Sequence, residues 1–205
     1  MVKYFSLLKK YHLDISEEKK RKLKLLFNIY NKKNKNINLI SRKDFENFFL
    51  HHVIHSLSIL KFNLLFNKNL TIIDLGTGGG FPGIPLAILL DKNQFILIDS
   101  IKKKIDSLHS IVNDLKLKNV RLLNQRAENL NESGDIILSR AVSSTKNILK
   151  WSKNLIKENG KIILYKGGDV EKELKNITSR FTIYKLDDIY SEEYFTNKKI
   201  IEIQL

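Results

Sequence analysis

The stretch Asp74-Leu-Gly76-Thr-Gly78-Gly-Gly80-Phe81-Pro82-Gly83-Ile-Pro85 decides the fold of this 205-residue chain. It holds five of the nine glycines and both prolines of the sequence. It follows a short apolar run and leads into a helix-like segment. Glycines in such a turn allow positive φ and a close approach of a ligand to the backbone. In an open α/β sheet, the space beyond the carboxyl end of a strand is where ligands bind, so the turn predicts a binding site.

Short apolar runs alternate with longer amphipathic segments from Asn69 onward. Strands are predicted at 70–75, 95–99, 120–123, 135–139 and 161–165, and helices near 82–90, 102–117, 144–156 and 169–177. Repeated strand–helix units predict parallel strands joined by right-handed crossovers, with helices on both faces of the sheet. Two further strands, 181–186 and 199–203, have a short loop and no helix between them, which predicts an antiparallel hairpin at the sheet edge.

The first 65 residues have a different pattern. Apolar residues recur at helical spacing from Leu23 to Tyr30 and again from Phe45 to His52, and Ser16 before two glutamates is typical of a helix start. Residues 31–38 are predicted as a loop. We therefore expect an N-terminal helical extension over 1–65 and an α/β domain of the Rossmann type over 66–205.

Composition limits the possible functions. The chain has no cysteine, which excludes disulfides and thiolate chemistry, and no apolar run approaches the ~20 residues of a membrane-spanning helix. The start of the chain lacks the features of a signal peptide, so we expect a cytoplasmic protein. The formal charge of +14 favours a polyanionic partner such as nucleic acid. Only six of the 36 basic residues are arginine, however, and the excess of lysine is also what an AT-rich genome would produce.

Two cofactors fit the glycine-rich turn. Gly78-x-Gly80-x-x-Gly83 matches the dinucleotide fingerprint, and Asp99 at the end of the next strand could bind a ribose hydroxyl. Asp74-x-Gly76-x-Gly78-x-Gly80 also resembles motif I of class I S-adenosylmethionine-dependent methyltransferases. Asp74 favours the second cofactor, because an acid there suits an amino group better than a pyrophosphate. A dehydrogenase would also need a substrate domain after the sheet.

A more specific resemblance covers about Asn38 to Gly168. The turn is followed by Leu97-Ile-Asp99-Ser100, Gln125-Arg126-Ala127-Glu128, Ser139-Arg140-Ala141 and Tyr165-Lys166-Gly167. Together these segments resemble the glucose-inhibited division protein B family. The resemblance implies a class I methyltransferase sheet and methylation of guanine N7 in the 530 loop of bacterial 16S ribosomal RNA. It also implies S-adenosylmethionine as cofactor, and 16S rRNA or the small ribosomal subunit as partner. We expect a monomer with no membrane association.

The resemblance also implies roles for individual residues. Gly76, Gly78 and Phe81 would line the methionine and sulfonium part of the cofactor, Asp74 would also bind the cofactor, and Asp99 would hold the ribose hydroxyls. Ala127 and Glu128 would lie at the adenine. Arg140 would lie near both the cofactor and the RNA as a positioning residue, with no proton-transferring residue beside it. Lys103, Lys104 and Lys166 would contact RNA, although Lys103 and Lys104 could equally form a solvated helix face.

The sequence departs from the family at His51-His52-Val-Ile-His55-Ser56, where an Arg and an Asp of the family pattern are both His. His51 and His55 share a helix face at α-helical spacing, but with no cysteine and no acidic pair nearby we expect packing histidines and no metal. Two other functions remain open from the residues alone: a nucleotide-dependent oxidoreductase and a non-catalytic RNA-binding assembly factor. The intact turn with both Asp74 and Asp99 argues against the second.

Overall fold

The computed structural model describes residues 2–11, 15–64 and 69–205. Seven strands form one sheet in the order β3-β2-β1-β4-β5-β7-β6. The first five strands are parallel, and β7 is antiparallel to both of its neighbours. The strands are β1 Thr71–Leu75, β2 Gln94–Asp99, β3 Val120–Asn124, β4 Gly134–Arg140, β5 Ile156–Gly167, β6 Arg180–Lys185 and β7 Lys198–Gln204. The predicted fold class, a mostly parallel sheet with antiparallel C-terminal strands, is confirmed.

Helices connect the parallel strands and cover both faces of the sheet. They are α4 Gly83–Leu89, α5 Lys102–Asp114, α6 Thr145–Ser152 and α7 Glu171–Leu174, after α1 Val2–Lys10, α2 Glu17–Lys33 and α3 His55–Leu57 in the N-terminal part. The helix predicted over 144–156 is too long. It ends at Ser152 because Ile156 already belongs to β5, where it pairs with Gly134.

The C-terminal hairpin differs from the prediction in two ways. Its strands are antiparallel as expected, but β7 lies between β5 and β6, so only β6 is at the sheet edge. This order follows from burial, because β7 carries buried isoleucines on both faces whereas β6 is mostly exposed. The predicted absence of a helix between the two strands is also wrong. A 3-10 turn, Glu193–Phe195, lies there and buries Phe195.

The N-terminal helices pack against the sheet as part of its core. The Ser16 side chain caps α2 as predicted, by accepting from the Lys19 N–H. One hydrophobic cluster includes Leu23 and Tyr30 of α2 together with Leu97 of the sheet. A second cluster lies on the opposite face of the sheet. The predicted domain boundary between 65 and 66 lies outside the described residues.

The segment after α2 is more ordered than the predicted loop and less regular than the predicted helix. The helix α2 continues to Lys33, and the Asn34 side chain then closes a turn by bonding the backbone of Leu39 and Ile40. A 3-10 helix, Arg42–Asn47, leads into a π-helix, Phe48–Ile54, followed by α3 and a 3-10 helix, Ser58–Phe62. Among the described residues, no helix is long and apolar enough to span a bilayer.

Candidate functional site

The glycine-rich turn lies at the carboxyl end of β1 and is built from local backbone bonds. The Thr77 N–H donates to the Ile98 carbonyl at 2.8 Å, which ties the turn to β2. Gly78 has φ +58, and a Cβ there would meet its nearest atoms only at 3.9 Å, so its α-carbon faces open space. Gly79 is the opposite case, because a Cβ there would lie 2.5 Å from the Leu39 carbonyl oxygen. The N-terminal segment therefore packs directly against the turn.

A cavity of about 510 Å³ opens beside this turn. The structure brings most of the sequence-predicted cofactor residues into its wall: Gly76, Gly78, Phe81, Asp99, Ala127, Glu128 and Arg140. They come from the ends of β1, β2 and β4 and from the loop after β3, which all meet at the carboxyl edge of the parallel strands. The site is thus where an open α/β sheet places a ligand.

Asp99 is the last residue of β2 and is only 8% exposed. Its Oδ2 accepts from the Gly78 N–H at 2.8 Å, and its Oδ1 accepts from the Ile101 N–H at 2.9 Å. Each carboxylate oxygen has a second lone pair, so both still have capacity for a ligand hydroxyl. Asp99 therefore fixes the turn and presents an acceptor to the cavity at the same time.

Asp74 is fully buried beneath the turn and is not part of the cavity wall. Its Oδ2 accepts from the Thr77 hydroxyl at 2.7 Å and from the Gly83 N–H at 2.9 Å. Its Oδ1 has no hydrogen-bond partner. Burial raises the pKa of Asp74 to about 6, against the opposing effect of these two hydrogen bonds. The carboxylate thus connects the turn to the start of α4. Its Oδ1 remains able to accept a further hydrogen bond.

Arg140 ends β4 and reaches the side of the cavity that the N-terminal segment forms. Its guanidinium carbon lies 5.5 Å from the Phe81 ring centroid, and its Nη1 donates to the His51 carbonyl at 3.4 Å. Leu39, Ile40 and His52 also line this side. The sequence did not predict these three residues as part of the site. The signals in the sequence were the start of the family resemblance at about Asn38, next to Leu39, and the histidine segment that contains His52.

The predicted RNA-contacting lysines have three different environments. Lys104 lines the cavity beside Gly78, and Lys103 is exposed on α5. Lys166 is not free, because its ammonium donates to the Ser143 carbonyl at 3.0 Å and to Glu173 Oε1 at 2.9 Å.

The three histidines of the N-terminal segment are held by hydrogen bonds and aromatic contacts. His51 and His52 both bond the Asp44 carboxylate, and His55 Nδ1 lies 2.9 Å from the Tyr194 hydroxyl. Burial lowers the pKa of His55 well below its usual range. Within the part of the chain that the structure describes, no group of three His, Asp or Glu side chains could hold a metal ion.

Four observations show that the cavity fits S-adenosylmethionine. The open space above Gly78 allows a close approach to the backbone. The unpartnered Asp74 Oδ1 supplies negative charge beneath the turn for an amino group. The Asp99 carboxylate at the next strand end can accept from ribose hydroxyls. Apolar wall residues such as Ala127 and Trp151 leave room for an adenine ring.

Comparisons with known proteins agree with this geometry. The GidB family, described as rRNA small subunit methyltransferase G, matches residues 19–200. The chain is 41% identical to the ribosomal RNA small subunit methyltransferase G of Flavobacterium johnsoniae, over 100% of this chain and 97% of the relative. It is 40% identical to the protein of the same name from Bacteroides thetaiotaomicron, over 96% of this chain and 98% of the relative.

Solved structures show the same fold at low sequence identity. A SAM-dependent methyltransferase from Aquifex aeolicus superposes with a TM-score of 0.58 at 18% identity, over 73% of this chain and 88% of the other. M. jannaschii TYW2 in complex with AdoMet gives a TM-score of 0.53 at 15% identity, over 73% of this chain and 75% of the other.

Proposed function

The chain belongs to the rRNA small subunit methyltransferase G family and is an S-adenosylmethionine-dependent methyltransferase, and we propose that it methylates N7 of a guanine in the 530 loop of 16S rRNA. The family match favours methyl transfer over the two alternatives, a nucleotide-dependent oxidoreductase and a non-catalytic assembly factor. The observation that carries the proposal is the cavity itself, with the predicted cofactor residues on one side and Leu39, His52 and Arg140 on the other.

The cofactor would be held by the turn and the ends of β2 and β3. When bound, S-adenosylmethionine supplies a methyl group on a positively charged sulfur. Gly76, Gly78 and Phe81 would contact the methionine part, and Asp99 would accept from the ribose hydroxyls. Ala127 and Glu128 would lie along the adenine, where a backbone amide and a carboxylate can read its edge.

Guanine N7 suits the other side of the cavity because it carries a lone pair and no proton. The reaction at N7 needs alignment and a favourable field, and no general base. The sequence predicted no acid–base pair near Arg140, yet His52 and Asp44 lie there. Burial and the charge of Arg140 lower the pKa of His52 to about 4, so its imidazole is neutral at physiological pH. Both of its ring nitrogens have partners already, which makes His52 a poor proton acceptor.

The charge of the chain supports an RNA partner. The net charge of +14 would attract phosphate, and the exposed ammonium of Lys103 lies one helix position from the cavity wall at Lys104. We propose that 16S rRNA or the small subunit binds across this rim, that the protein acts as a monomer in the cytoplasm, and that residues 1–65 form the base-facing wall of an α/β domain over 66–205.

The product distinguishes N7 from other acceptor atoms. Small ribosomal subunits that lack the modification are methylated with labelled cofactor, and the RNA is treated with borohydride and aniline, which cleave the strand at N7-methylguanine. We expect one new aniline-sensitive site, in the 530 loop. The Gly78→Val protein is the matched control and should give neither label nor cleavage. Label on an exocyclic amine or a ribose hydroxyl would contradict the N7 assignment and leave the methyltransferase assignment intact.

A further inference from the structure

Two side chains of the N-terminal segment, Asp44 and His52, form a series of hydrogen bonds with Arg140 at the end of β4, beside the cavity. The Asp44 carboxylate is bonded to His52, whose Nε2 lies 2.9 Å from Asp44 Oδ2. On the other edge of the ring, His52 Nδ1 lies 3.4 Å from Arg140 Nη2. The His52 side chain is 13% exposed and the Asp44 side chain is 31% exposed, so Asp44 is nearer to solvent than His52.

The chemistry of the three groups fixes where the protons lie. A guanidinium has only donors, so the nitrogen that faces Arg140 must be the unprotonated one. The carboxylate has only acceptors, so the nitrogen that faces Asp44 must carry the proton. A neutral imidazole satisfies both conditions with one tautomer, and the bond to Asp44 selects that tautomer.

Arg140 depends on this arrangement because its own contacts are few. Its hydrogen bonds in the described part of the chain are the one to His52 and one to the His51 carbonyl, both at 3.4 Å. None of the ion pairs among the described residues includes it. Phe81 packs against one face of its guanidinium. Several N–H groups of Arg140 therefore have no hydrogen-bond partner among the described residues, and Arg140 lines the cavity.

We propose that Asp44 and His52 are positioning residues that orient the Arg140 guanidinium toward the acceptor base. The group that Arg140 would meet is the O6 edge of a guanine, beside the N7 that reacts. Guanine presents an acceptor at O6 and adenine presents an amino donor, so an oriented guanidinium favours guanine. The identity of the base rests on the proposed function, whereas the dependence of Arg140 on Asp44 does not.

Two substitutions of His52 distinguish its hydrogen bond to Asp44 from its hydrogen bond to Arg140. His52→Asn places an amide oxygen near the former Nδ1 and keeps an acceptor for Arg140. His52→Gln places its amide near the former Nε2, so it keeps the partner of Asp44 and loses the acceptor. We expect His52→Gln and Asp44→Ala each to lower single-turnover methylation about tenfold, the effect of a lost hydrogen bond. His52→Asn should retain more of the rate than His52→Gln, and adding Asp44→Ala to it should cost little more.

The experiment measures the single-turnover rate, the affinity for S-adenosylmethionine and the melting temperature of each variant, with exposed His109→Gln and Asp91→Ala as controls. Cofactor affinity and melting temperature should stay near wild type while the rate falls. Nitrogen-15 NMR of the wild-type protein should show His52 protonated at Nε2 and bare at Nδ1. Unchanged rates, rates that fall only in proportion to stability, or a proton on Nδ1 would overturn the proposal. The rate is measured as the label incorporated into RNA. The test of the Asp44–His52–Arg140 arrangement is therefore valid even if the methylated atom is not N7.

Discussion

The Asp99 carboxylate accepts a hydrogen bond from the Gly78 N–H at 2.8 Å, which joins the end of β2 to the turn after β1. The two residues are 21 positions apart: Asp99 ends β2, and Gly78 lies in the turn that follows β1, the neighbouring parallel strand. One carboxylate therefore both shapes the turn and lines the cavity that the turn opens. Loss of the carboxylate would therefore weaken cofactor binding in two ways: the ribose would lose a hydrogen-bond acceptor, and the turn would be held less firmly.

Replacement of Asp99 tests this double role. Asp99→Ala should weaken the binding of S-adenosylmethionine by about 1–3 kcal/mol, because it removes a partly buried charged acceptor. Asp99→Asn should cost less, since its amide oxygen can still accept from the Gly78 N–H. Isothermal titration gives both affinities. Equal binding by the wild type and Asp99→Ala would show that Asp99 is not at the ribose.

Replacement of Gly78 tests the open space above the turn. Gly78→Val should abolish cofactor binding, because a β-branched side chain would fill that space and would also be strained at φ +58. Gly168→Val is the matched control, since Gly168 has φ +75 and nothing lies within 4 Å of a Cβ there. Both variants carry similar backbone strain, but only the first should lose binding in the titration. Loss of binding in both would mean that strain, and not contact with the cofactor, is the cause.

The parts of the structure that were predictable from the sequence are local ones. The glycine-rich turn, the Ser16 cap and the five parallel strands depend on residues close together in the chain. Their patterns are therefore visible without knowledge of the packing. Most residues of the cofactor wall could then be predicted as well, because the carboxyl ends of parallel strands meet at one edge of the sheet.

The parts that were missed depend on contacts between distant segments. His52 and Arg140 are 88 residues apart, and the pattern of apolar residues in the two segments does not indicate that they are in contact. The position of β7 between β5 and β6 depends on which of the two C-terminal strands pairs with β5. A hairpin pattern in the sequence is compatible with pairing of β5 to either β6 or β7. The histidine segment was predicted to be helical, but its sequence did not indicate a π-helix. The π-helix ends at Ile54, packs among phenylalanines and is hydrogen-bonded to Asp44.

The lysines give a prediction about salt. RNA affinity should fall steeply as salt rises, and Lys103→Gln should make the slope of log K against log salt shallower by about 0.7, the effect of one lost phosphate contact with single-stranded RNA. Lys166→Gln should leave the slope unchanged, because its ammonium is already bonded to Glu173. Filter binding over a range of salt concentrations measures both slopes. A flat slope for the wild type would mean that the positive charge of the chain has no role in RNA binding.

The buried carboxyl of Asp74 gives a prediction about pH. Burial raises its pKa to about 6 in the folded protein, against a reference value of 3.8. The folded state thus binds the proton more tightly than the unfolded state. The stability that this proton contributes is complete at low pH and is lost as pH rises from 3.8 through about 6. Asp74→Asn should remove this decline, which urea unfolding at a series of pH values would show.

Cofactor binding should depend on the same proton in the opposite direction. The ionised Asp74 carboxylate would favour the protonated amino group of S-adenosylmethionine, so affinity should fall below about pH 6 as Asp74 is protonated. With saturating cofactor, the single-turnover rate should stay flat from about pH 7 to 9, because guanine N7 has no proton to lose. Titrations and rates at matched pH values check both statements. A pH dependence of cofactor affinity that persists in Asp74→Asn would assign it to another group, and a rate that rises through pH 7 to 9 would require a catalytic base.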